Sequence, residues 1–290
     1  MTHIDNQYQS LLNRVITTGE YSDNRTGILT LFTIGAYLTA DCTDKQIPII
    51  TTKQVAYKSA FSEMVGFITA KHNSNDFEKL GSRVWNQNAN ENQQWLDNPN
   101  RTGHGELGKI YGVQWRSWNN QIDQLQNVIN DLQNNQDNRR EIVLGWNPSE
   151  LDQMALPPCH LLMQYSLTNQ KTTLDLTVYQ RSWDLFLGAP FNLAQYGFLL
   201  HLVAQITNKS PGTLHYMATN THIYSNHTDQ AEILLARAPQ IEKPYIELNP
   251  DVHSLQDVQN LTESNNWHID NLITVHNYDP HPAIPAPMAV

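Results

Sequence analysis

Cysteine and basic residues are scarce in this 290-residue chain. Cys42 and Cys159 are its only two cysteines, too few for the disulfide framework of a small secreted protein. Lysine and arginine total 18 against 28 aspartates and glutamates, which gives a net charge of −10. A nucleic-acid-binding protein usually carries a basic face, so this balance argues against nucleic acid as a main partner.

Long apolar runs are also missing. The longest, such as residues 198–204, fall far short of the roughly 20 residues that span a bilayer, so no membrane partner is expected. The N-terminal stretch lacks the basic segment followed by an apolar segment that marks a secretory signal. We therefore expect a cytoplasmic, reducing environment.

The material that is present suits a folded core. Hydrophobic residues make up 40% of the chain and charged residues 16%, and a chain of this length buries roughly 75% of its extended-chain surface. No repeat, low-complexity tract or linker-like change in composition divides it. We predict a single domain over residues 1–290.

Hydrophobic spacing predicts a mixture of helices and strands. Apolar residues recur at helical spacing in residues 4–18, 55–69, 122–132 and 192–206. Residues that favour strands dominate segments 28–38, 141–146 and 172–180. The polar segment 92–108 is predicted to be a surface loop, and the proline-rich tail 279–290 is predicted to be extended because proline excludes a helix.

Cys159 is the first candidate for chemistry. It follows Pro157 and Pro158, which stiffen the chain, and a lone cysteine beside polar residues is a candidate nucleophile. Its thiolate needs cationic neighbours or a helix N-terminus to be populated at neutral pH. A free cysteine is more often a small buried apolar side chain, so both interpretations stay open. The adjacent His160 is expected to be a hydrogen-bonded structural histidine.

An arginine pair, Arg139 and Arg140, is a candidate phosphate site. Guanidinium groups bind phosphate bidentately, and an acidic protein that binds a phosphate monoester needs such local cations. The alternative is that the pair stabilises the negative C-terminal end of the preceding helix.

The densest polar cluster follows the predicted strand that ends at Gln180. Arg181 and Ser182 could bind an anion, and Asp184 could accept hydrogen bonds from a heterocycle. Asn192 offers one donor and one acceptor, which match the lactam edge of uracil. The alternatives are an Arg181–Asp184 ion pair and Asn192 as the N-cap of the next helix.

Metal and nucleotide-loop motifs are not found. His222 and His227 stand five residues apart, so they would not share a helix face as a metal-binding pair does. The sequence contains no P-loop and no G-x-G-x-x-G motif. No metal is expected.

Nine short motifs together resemble those of folate-dependent thymidylate synthase, in the family's order and over residues 25–290. Each motif alone is weak, but the ordered set is specific. The motifs are DNRTG (23–27), PIITTK (48–53), YGVQWR (111–116), RR (139–140), LPPCH (156–160), QRSWD (180–184), LGAPFN (187–192), THIYSNH (221–227) and YDPHP (278–282).

The resemblance implies an α+β fold, with a large mixed β-sheet flanked by helices and one sheet face forming a homodimer interface. It also implies reductive methylation of dUMP to dTMP, in which 5,10-methylenetetrahydrofolate supplies the carbon and the hydride and leaves as dihydrofolate. Cys159 would attack carbon 6 of the pyrimidine and thereby activate carbon 5. Glu63 would organise water and protons around the pyrimidine oxygen, and Tyr111 would assist proton removal from carbon 5.

Ligand-binding roles are implied in the same way. Residues Arg25, Arg139, Arg140, Gln180, Arg181, Ser182, Asp184, Asn192, His222 and Tyr224 would bind dUMP. The arginine pair would act across the dimer interface, in the partner's site. Residues Trp85, Asp184, Gly188, Phe191, Ala289 and Val290 would contact the folate, with the carboxylate of Val290 closing the site.

Three positions depart from the family's common pattern. Gly66 and Asn88 stand where the family often has tryptophan, and Asn220 stands where it often has aspartate. We expect the first two to loosen the folate pocket, which raises the question of whether the methylene group is reduced or hydrated.

Two further functions stay open. A dUMP or pyrimidine nucleotide hydroxymethylase would use the same folate and let water capture the methylene group, although Asn192 argues against a cytosine substrate. A non-catalytic paralogue would only bind nucleotide or RNA. The joint presence of Cys159, Glu63, Asn192 and Tyr111 disfavours the paralogue, and a cysteine hydrolase is the least favoured interpretation.

Overall fold

A six-stranded mixed sheet organises the chain, which a computed structural model describes over residues 3–288. Across the sheet the strands are β1 (Glu20–Ser22), β2 (Thr30–Asp41), β6 (Ser210–Tyr224), β5 (Thr173–Asp184), β4 (His160–Thr168) and β3 (Ile142–Leu144). Strands β5 and β6 are parallel, whereas the other neighbouring pairs are antiparallel. Strands β7 (Tyr245–Leu248) and β8 (Ile273–His276) form a separate antiparallel pair.

Helices flank this sheet, which confirms the predicted α+β class. Within residues 3–288 they are α1 (Ile4–Thr18), α2 (Tyr57–Ile68), α3 (Ser74–Leu80), α4 (Asn86–Asn90), α5 (Gln93–Leu96), α6 (Tyr111–Ser117), α7 (Gln124–Gln133), α8 (Gly188–Ile206), α9 (Thr228–Leu235) and α10 (Leu255–Thr262). Helix α8 packs between α2 and strands β5 and β6. It is buried along almost its whole length because a helix that is apolar on all sides has no face for water. No helix within residues 3–288 is both long and apolar enough to cross a membrane.

The predicted elements are confirmed, but one boundary matters for the site. Helix α8 begins at Gly188 rather than at 192, so Asn192 lies within the helix and the N-cap interpretation is wrong. Pro190 is tolerated in the first turn because its missing N–H would have no partner within the helix. The described part of the proline-rich tail, through Met288, contains no helix.

The segment 92–108 is only partly a surface loop. It contains α5, and the side chains of Trp95 and Leu107 are buried. The Trp95 indole N–H donates to the carbonyl of Glu106 at 2.7 Å. A buried aromatic ring therefore fixes this polar segment to the core.

One face of the sheet carries exposed apolar side chains. Ile34 and Tyr37 on β2 are 66% and 54% exposed, and Met217 on β6 and Tyr179 on β5 are 40% and 39% exposed. Met217 pairs in register with both Tyr37 and Tyr179, so these three side chains form a row across the strands. We call these four residues the open sheet face. Contiguous apolar patches of this kind mark interaction surfaces more often than free surface.

A buried carboxylate joins the N-terminal helix to the segment before Lys53. Asp5 on α1 is fully buried and accepts hydrogen bonds from the backbone N–H groups of Thr51 and Thr52 at 2.8 and 3.0 Å. The Thr51 carbonyl in turn accepts from the backbone N–H of His281 at 2.9 Å. One side chain therefore organises a segment that also receives the C-terminal tail.

We predict that Asp5→Ala lowers the free energy of unfolding by about 2 to 4 kcal/mol, because it leaves buried backbone donors without an acceptor. Urea denaturation measures the change. Asp76→Ala is the matched control, since the Asp76 carboxylate is exposed and pairs with Lys79, and such a surface pair contributes at most about 1 kcal/mol. Equal losses in the two variants would contradict the assignment.

Candidate active site

A cavity of about 920 Å³ opens at the C-terminal ends of strands β5 and β6. The predicted site residues in its wall are Arg25, Glu63, Trp85, Tyr111, Cys159, Gln180, Arg181, Ser182, Asp184, Gly188, Phe191, Asn192, His222 and Tyr224. The structure therefore brings together residues that lie as far apart in sequence as Arg25 and Tyr224.

Strand register explains why the two polar motifs meet. In the parallel pair, Ser182 on β5 lies opposite Asn220 on β6, and Asp184 lies opposite His222. Parallel strands end at the same edge of a sheet, and ligands commonly bind at the carboxyl ends of such strands. The polar ends of both strands therefore form one wall of the cavity.

Strand β4 brings the cysteine to the same wall. Cys159 directly precedes β4, and its carbonyl accepts a hydrogen bond from the Arg181 backbone N–H at 2.9 Å. The Arg181 guanidinium donates to the carbonyls of Pro158 and Pro157 at 2.8 and 3.1 Å. Within residues 3–288 the alternative Arg181–Asp184 ion pair does not form.

The thiol of Cys159 lies in a desolvated but cationic environment. Burial raises the pKa of Cys159, and the positive charges of Arg181 and Arg25 oppose that rise. The Cys159 backbone N–H donates to the Tyr111 hydroxyl oxygen at 2.7 Å. The sulfur therefore rests as a thiol near neutral pH, beside the charges that stabilise a thiolate.

A hydrogen-bonded chain of side chains leads from Asn192 to Glu63. The Asn192 amide donates to Gln195 Oε1 at 3.1 Å, and Gln195 Nε2 donates to Glu63 Oε2 at 2.5 Å. Burial raises the pKa of Glu63 to about 7, while the side chains of Gln195 and Trp85 oppose the shift. A carboxyl group with this pKa can both give and take a proton near neutral pH.

Gln195 is a site residue that the sequence reasoning missed. The available signal was its spacing, since residues three apart on a helix lie on the same face. Asn192 and Gln195 both belong to α8. Because the Asn192 amide was already matched to the uracil edge, Gln195 could have been predicted to lie beside it.

The polar side of the wall, at the ends of β5 and β6, is organised by internal hydrogen bonds. Tyr216 donates to the Gln180 amide oxygen, and Gln180 Nε2 donates to the Ser182 carbonyl at 2.7 Å. The Gln180 side chain is thus held within the protein. His222 Nδ1 lies 2.8 Å from Asn220 Oδ1, so the asparagine that departs from the family pattern orients this ring.

His160 has the structural role that the sequence suggests. Its Nδ1 lies 3.0 Å from the Tyr196 hydroxyl, and burial lowers its pKa to about 3. The ring is therefore neutral near pH 7 and does not supply a positive charge to the neighbouring Cys159. Burial also lowers the pKa of His222, against the opposing charge of Asp184.

The apolar side of the cavity suits a flat heteroaromatic ligand. Trp85 packs against Phe67, Phe77 and Tyr111 at ring-centroid distances of 6.1 to 6.2 Å. Its indole is buried, and its N–H is the donor that opposes the rise in the pKa of the neighbouring Glu63 carboxyl group. Gly188 and Phe191, from the first turn of α8, complete this side.

The departure at Gly66 does not enlarge the pocket as expected. An added Cβ at Gly66 would lie only 2.3 Å from the Phe77 ring, so Phe77 fills the space that a larger side chain would need. Asn88, by contrast, lies in the cavity wall. Of the two positions, only Asn88 bears on the ligand directly.

Two sets of predicted residues lie elsewhere. Arg139 and Arg140 are exposed between α7 and β3 and are not in the cavity wall. Helix α7 ends at Gln133 and has no basic residue in its last turn, so the pair lies beyond the turn that the alternative would have it stabilise. Ala289 and Val290 lie outside the described residues.

Within residues 3–288 no cluster of three or more His, Cys, Asp or Glu side chains could hold a metal.

A thiol and a near-neutral carboxyl group that share a cavity with arginines suit covalent chemistry on a small anionic molecule. The molecule is thus an enzyme rather than a binding module. The thymidylate synthase family model matches residues 6–290. The chain belongs to the thymidylate synthase family, as its motifs indicate.

Individual relatives agree with this assignment. The chain is 40% identical to the thymidylate synthase of Idiomarina loihiensis and 39% identical to that of Histophilus somni. It is 36% identical to the thymidylate synthase of Pseudomonas putida. Each similarity covers 98% of this chain and 99% of the relative.

We predict that Glu63→Gln stabilises the protein at alkaline pH. The pKa of Glu63 is about 7 when folded against an ordinary value of 4.5, so the wild type loses stability as pH rises between these values. At about pH 8 the variant should gain up to about 3 kcal/mol in free energy of unfolding, and the gain should vanish below about pH 5.

Urea denaturation across this pH range measures the difference. Glu247→Gln is the control, because the Glu247 side chain is exposed and pairs with Lys45, and no alkaline gain is expected there. A pH-independent effect of Glu63→Gln would contradict the proposed ionisation.

Proposed function

We propose that this chain converts dUMP to dTMP, with 5,10-methylenetetrahydrofolate as the donor and dihydrofolate as the second product. The observation that carries the proposal is the position of Cys159. Its sulfur shares a cavity wall with Arg25 and Arg181, whose charges oppose the pKa rise caused by burial. Family membership supports the same reaction.

The reaction begins with attack of the Cys159 thiolate on carbon 6 of the pyrimidine. A bond forms between sulfur and carbon 6, and the electrons of the carbon 5–carbon 6 double bond move towards the carbon 4 oxygen. Asn192 holds the uracil edge, and Glu63 supplies or removes a proton at that oxygen through ordered water. Carbon 5 is now nucleophilic. Covalent catalysis thus divides one difficult substitution into easier steps.

The donor, when bound, supplies a one-carbon unit to carbon 5 and then a hydride to that new exocyclic carbon. Between these two events Tyr111, whose hydroxyl oxygen is held at the Cys159 backbone, assists removal of the carbon 5 proton, so that the bond from the exocyclic carbon to the donor nitrogen breaks and a double bond to carbon 5 forms. When the hydride reaches the exocyclic carbon, the carbon 5–carbon 6 double bond is restored and the sulfur leaves carbon 6, which regenerates the thiolate and releases the product.

Substrate positions follow from the two sides of the cavity. Arg25, Arg181 and Ser182 bind the phosphate, with Gln180 beside them, and His222 with Tyr224 binds the sugar hydroxyl. Trp85, Asp184, Gly188 and Phe191 contact the folate. Ala289 and Val290 close the site and exclude water during hydride transfer. The apolar wall formed by Trp85 and its aromatic neighbours supports this division.

We predict that dUMP and 5,10-methylenetetrahydrofolate yield dihydrofolate, seen by absorbance, and dTMP, seen by chromatography. Cys159→Ala should abolish turnover because Cys159 is the only thiol among the described residues of the cavity wall. Cys42→Ala is the matched control, since Cys42 is buried outside the cavity, and it should retain activity.

Other products would identify the alternatives. Tetrahydrofolate with hydroxymethyl-dUMP would show that water captures the methylene group, and nucleotide binding without turnover would indicate the non-catalytic paralogue. Either result would refute the proposed reaction.

The open sheet face supports a homodimer in which the arginine pair completes the partner's site. Arg139 and Arg140 are exposed and absent from the wall of their own chain's cavity, although phosphate binding favours guanidinium groups. A twofold-symmetric pairing through the open sheet face would bury its apolar side chains and carry each pair to the other subunit.

We predict that Cys159→Ala and an Arg139→Ala/Arg140→Ala double variant complement each other. Each variant alone should be nearly inactive, but a mixed dimer contains one site with both an intact cysteine and intact arginines. After denaturation and refolding together, an equal mixture should recover about a quarter of wild-type activity, because random pairing makes half of the dimers mixed. Absence of recovery, with dimers confirmed by sedimentation, would contradict action in trans.

A further inference from the structure

The proposed mechanism leaves His227 without a role, although this histidine is fully buried next to the site. It directly precedes α9, and its ring lies 5.7 Å from that of Tyr224 and 5.6 Å from that of Phe186. Tyr224 lines the cavity. His227 therefore lies behind the polar side of the wall.

The ring of His227 is joined to the C-terminal tail. Its Nε2 lies 2.7 Å from the carbonyl oxygen of Pro287, and because a carbonyl oxygen only accepts, Nε2 carries the proton. The other ring nitrogen, Nδ1, is buried without a partner among the described residues. The contact to Pro287 is therefore the polar interaction that defines the orientation of this ring.

The end of the tail has few other attachments. Its first part is held by the N–H of His281, which donates to Thr51, and by Arg237, which donates to the Pro282 carbonyl at 2.7 Å. Prolines remove backbone donors from the rest. Among the described residues, the only hydrogen bond to segment 283–288 comes from His227.

The same part of the tail reaches the cavity. Ile284 and Met288 both line it, and Met288 directly follows the proline that His227 holds. A shift of the Pro287 carbonyl would therefore displace Met288 from the cavity wall.

We propose that His227 is a positioning residue that tethers the C-terminal tail at Pro287 and so shapes the side of the cavity where Ile284 and Met288 lie. This inference rests on the proposed function in one respect: the consequence is expected in folate binding. His227 itself touches neither substrate.

Two substitutions separate the hydrogen bond from the packing of the ring. His227→Gln places an amide donor close to the Nε2 position, whereas His227→Leu keeps comparable bulk without a donor. His201→Leu is the matched control, because His201 is also a buried histidine whose Nε2 lies 2.8 Å from a backbone carbonyl, that of Gln46, yet it is outside the cavity wall.

Steady-state kinetics gives the first measurement. His227→Leu should raise KM for 5,10-methylenetetrahydrofolate about tenfold, the effect of one lost buried hydrogen bond, and change KM for dUMP by less than about twofold. His227→Gln should restore most of the folate affinity, and His201→Leu should change neither KM. The tether is refuted if His227→Gln raises KM for the folate as much as His227→Leu does. It is also refuted if KM for dUMP rises by the same factor as KM for the folate.

Methyl NMR tests the tether without turnover. In the unliganded protein, the 13C-labelled methyl group of Met288 should have a lower order parameter in His227→Leu than in the wild type, in His227→Gln or in the control His201→Leu, because the Pro287 carbonyl is no longer held. An unchanged order parameter would overturn the inference. If the wild type has no turnover, the proposed function fails, but the order parameter still decides whether His227 holds the tail.

A measurement on the wild type covers the case in which His227→Leu does not fold. With 15N-labelled histidine, the His227 ring should show a slowly exchanging proton on Nε2, identified by its absence in His227→Gln. A proton on Nδ1 instead, or rapid exchange at Nε2, would contradict the contact with Pro287.

Discussion

The parallel pairing of β5 with β6 is the constraint on which the site depends. It aligns Asp184 with His222 at one edge of the sheet, while the antiparallel neighbour β4 begins there, directly after Cys159. Only this mixed sheet order brings the ends of three strands to the same place. A shift of one residue in the register would turn each side chain to the opposite face, and the cavity would lose its polar wall.

Burial then gives these side chains their chemical character. Removal from water raises the pKa of the Cys159 thiol and that of the Glu63 carboxyl group, because charge is poorly stabilised in a medium of low dielectric constant. The charges of Arg181 and Arg25 oppose the rise in the pKa of the sulfur. The hydrogen bond from Gln195, which Asn192 in turn contacts, opposes the rise in the pKa of the Glu63 carboxyl group. The surroundings that make Glu63 useful near neutral pH also make its charged form destabilising.

Much of the fold could be predicted from the sequence because periodicity reports burial. The spacing of Tyr8, Leu11, Leu12 and Val15 predicted α1, and all four side chains are buried. Periodicity could not give the first turn of α8, since Gly188 and Pro190 are poor helix formers. It also could not reveal that Trp95 anchors an otherwise polar segment.

The candidate site was predictable where its residues lie in ordered motifs. Fourteen predicted residues line one cavity, and their individual roles stay predictions until ligands are bound. Contacts between distant segments gave no sequence signal: Asp5 with Thr51 is 46 residues apart, and His227 with Pro287 is 60 apart. Such pairs depend on tertiary packing rather than on local pattern. Action of Arg139 across a dimer likewise depends on a second chain.

The central claim is that the sulfur of Cys159 bonds to carbon 6 of the pyrimidine. Intact-mass measurement under denaturing conditions tests it most directly, with 5-fluoro-dUMP and 5,10-methylenetetrahydrofolate as ligands. Fluorine at carbon 5 cannot leave as a proton does, so the sulfur should stay bonded and the wild-type mass should rise, whereas Cys159→Ala should show no increase. An unmodified wild-type mass at saturating ligand, or an adduct on another residue, would contradict the claim.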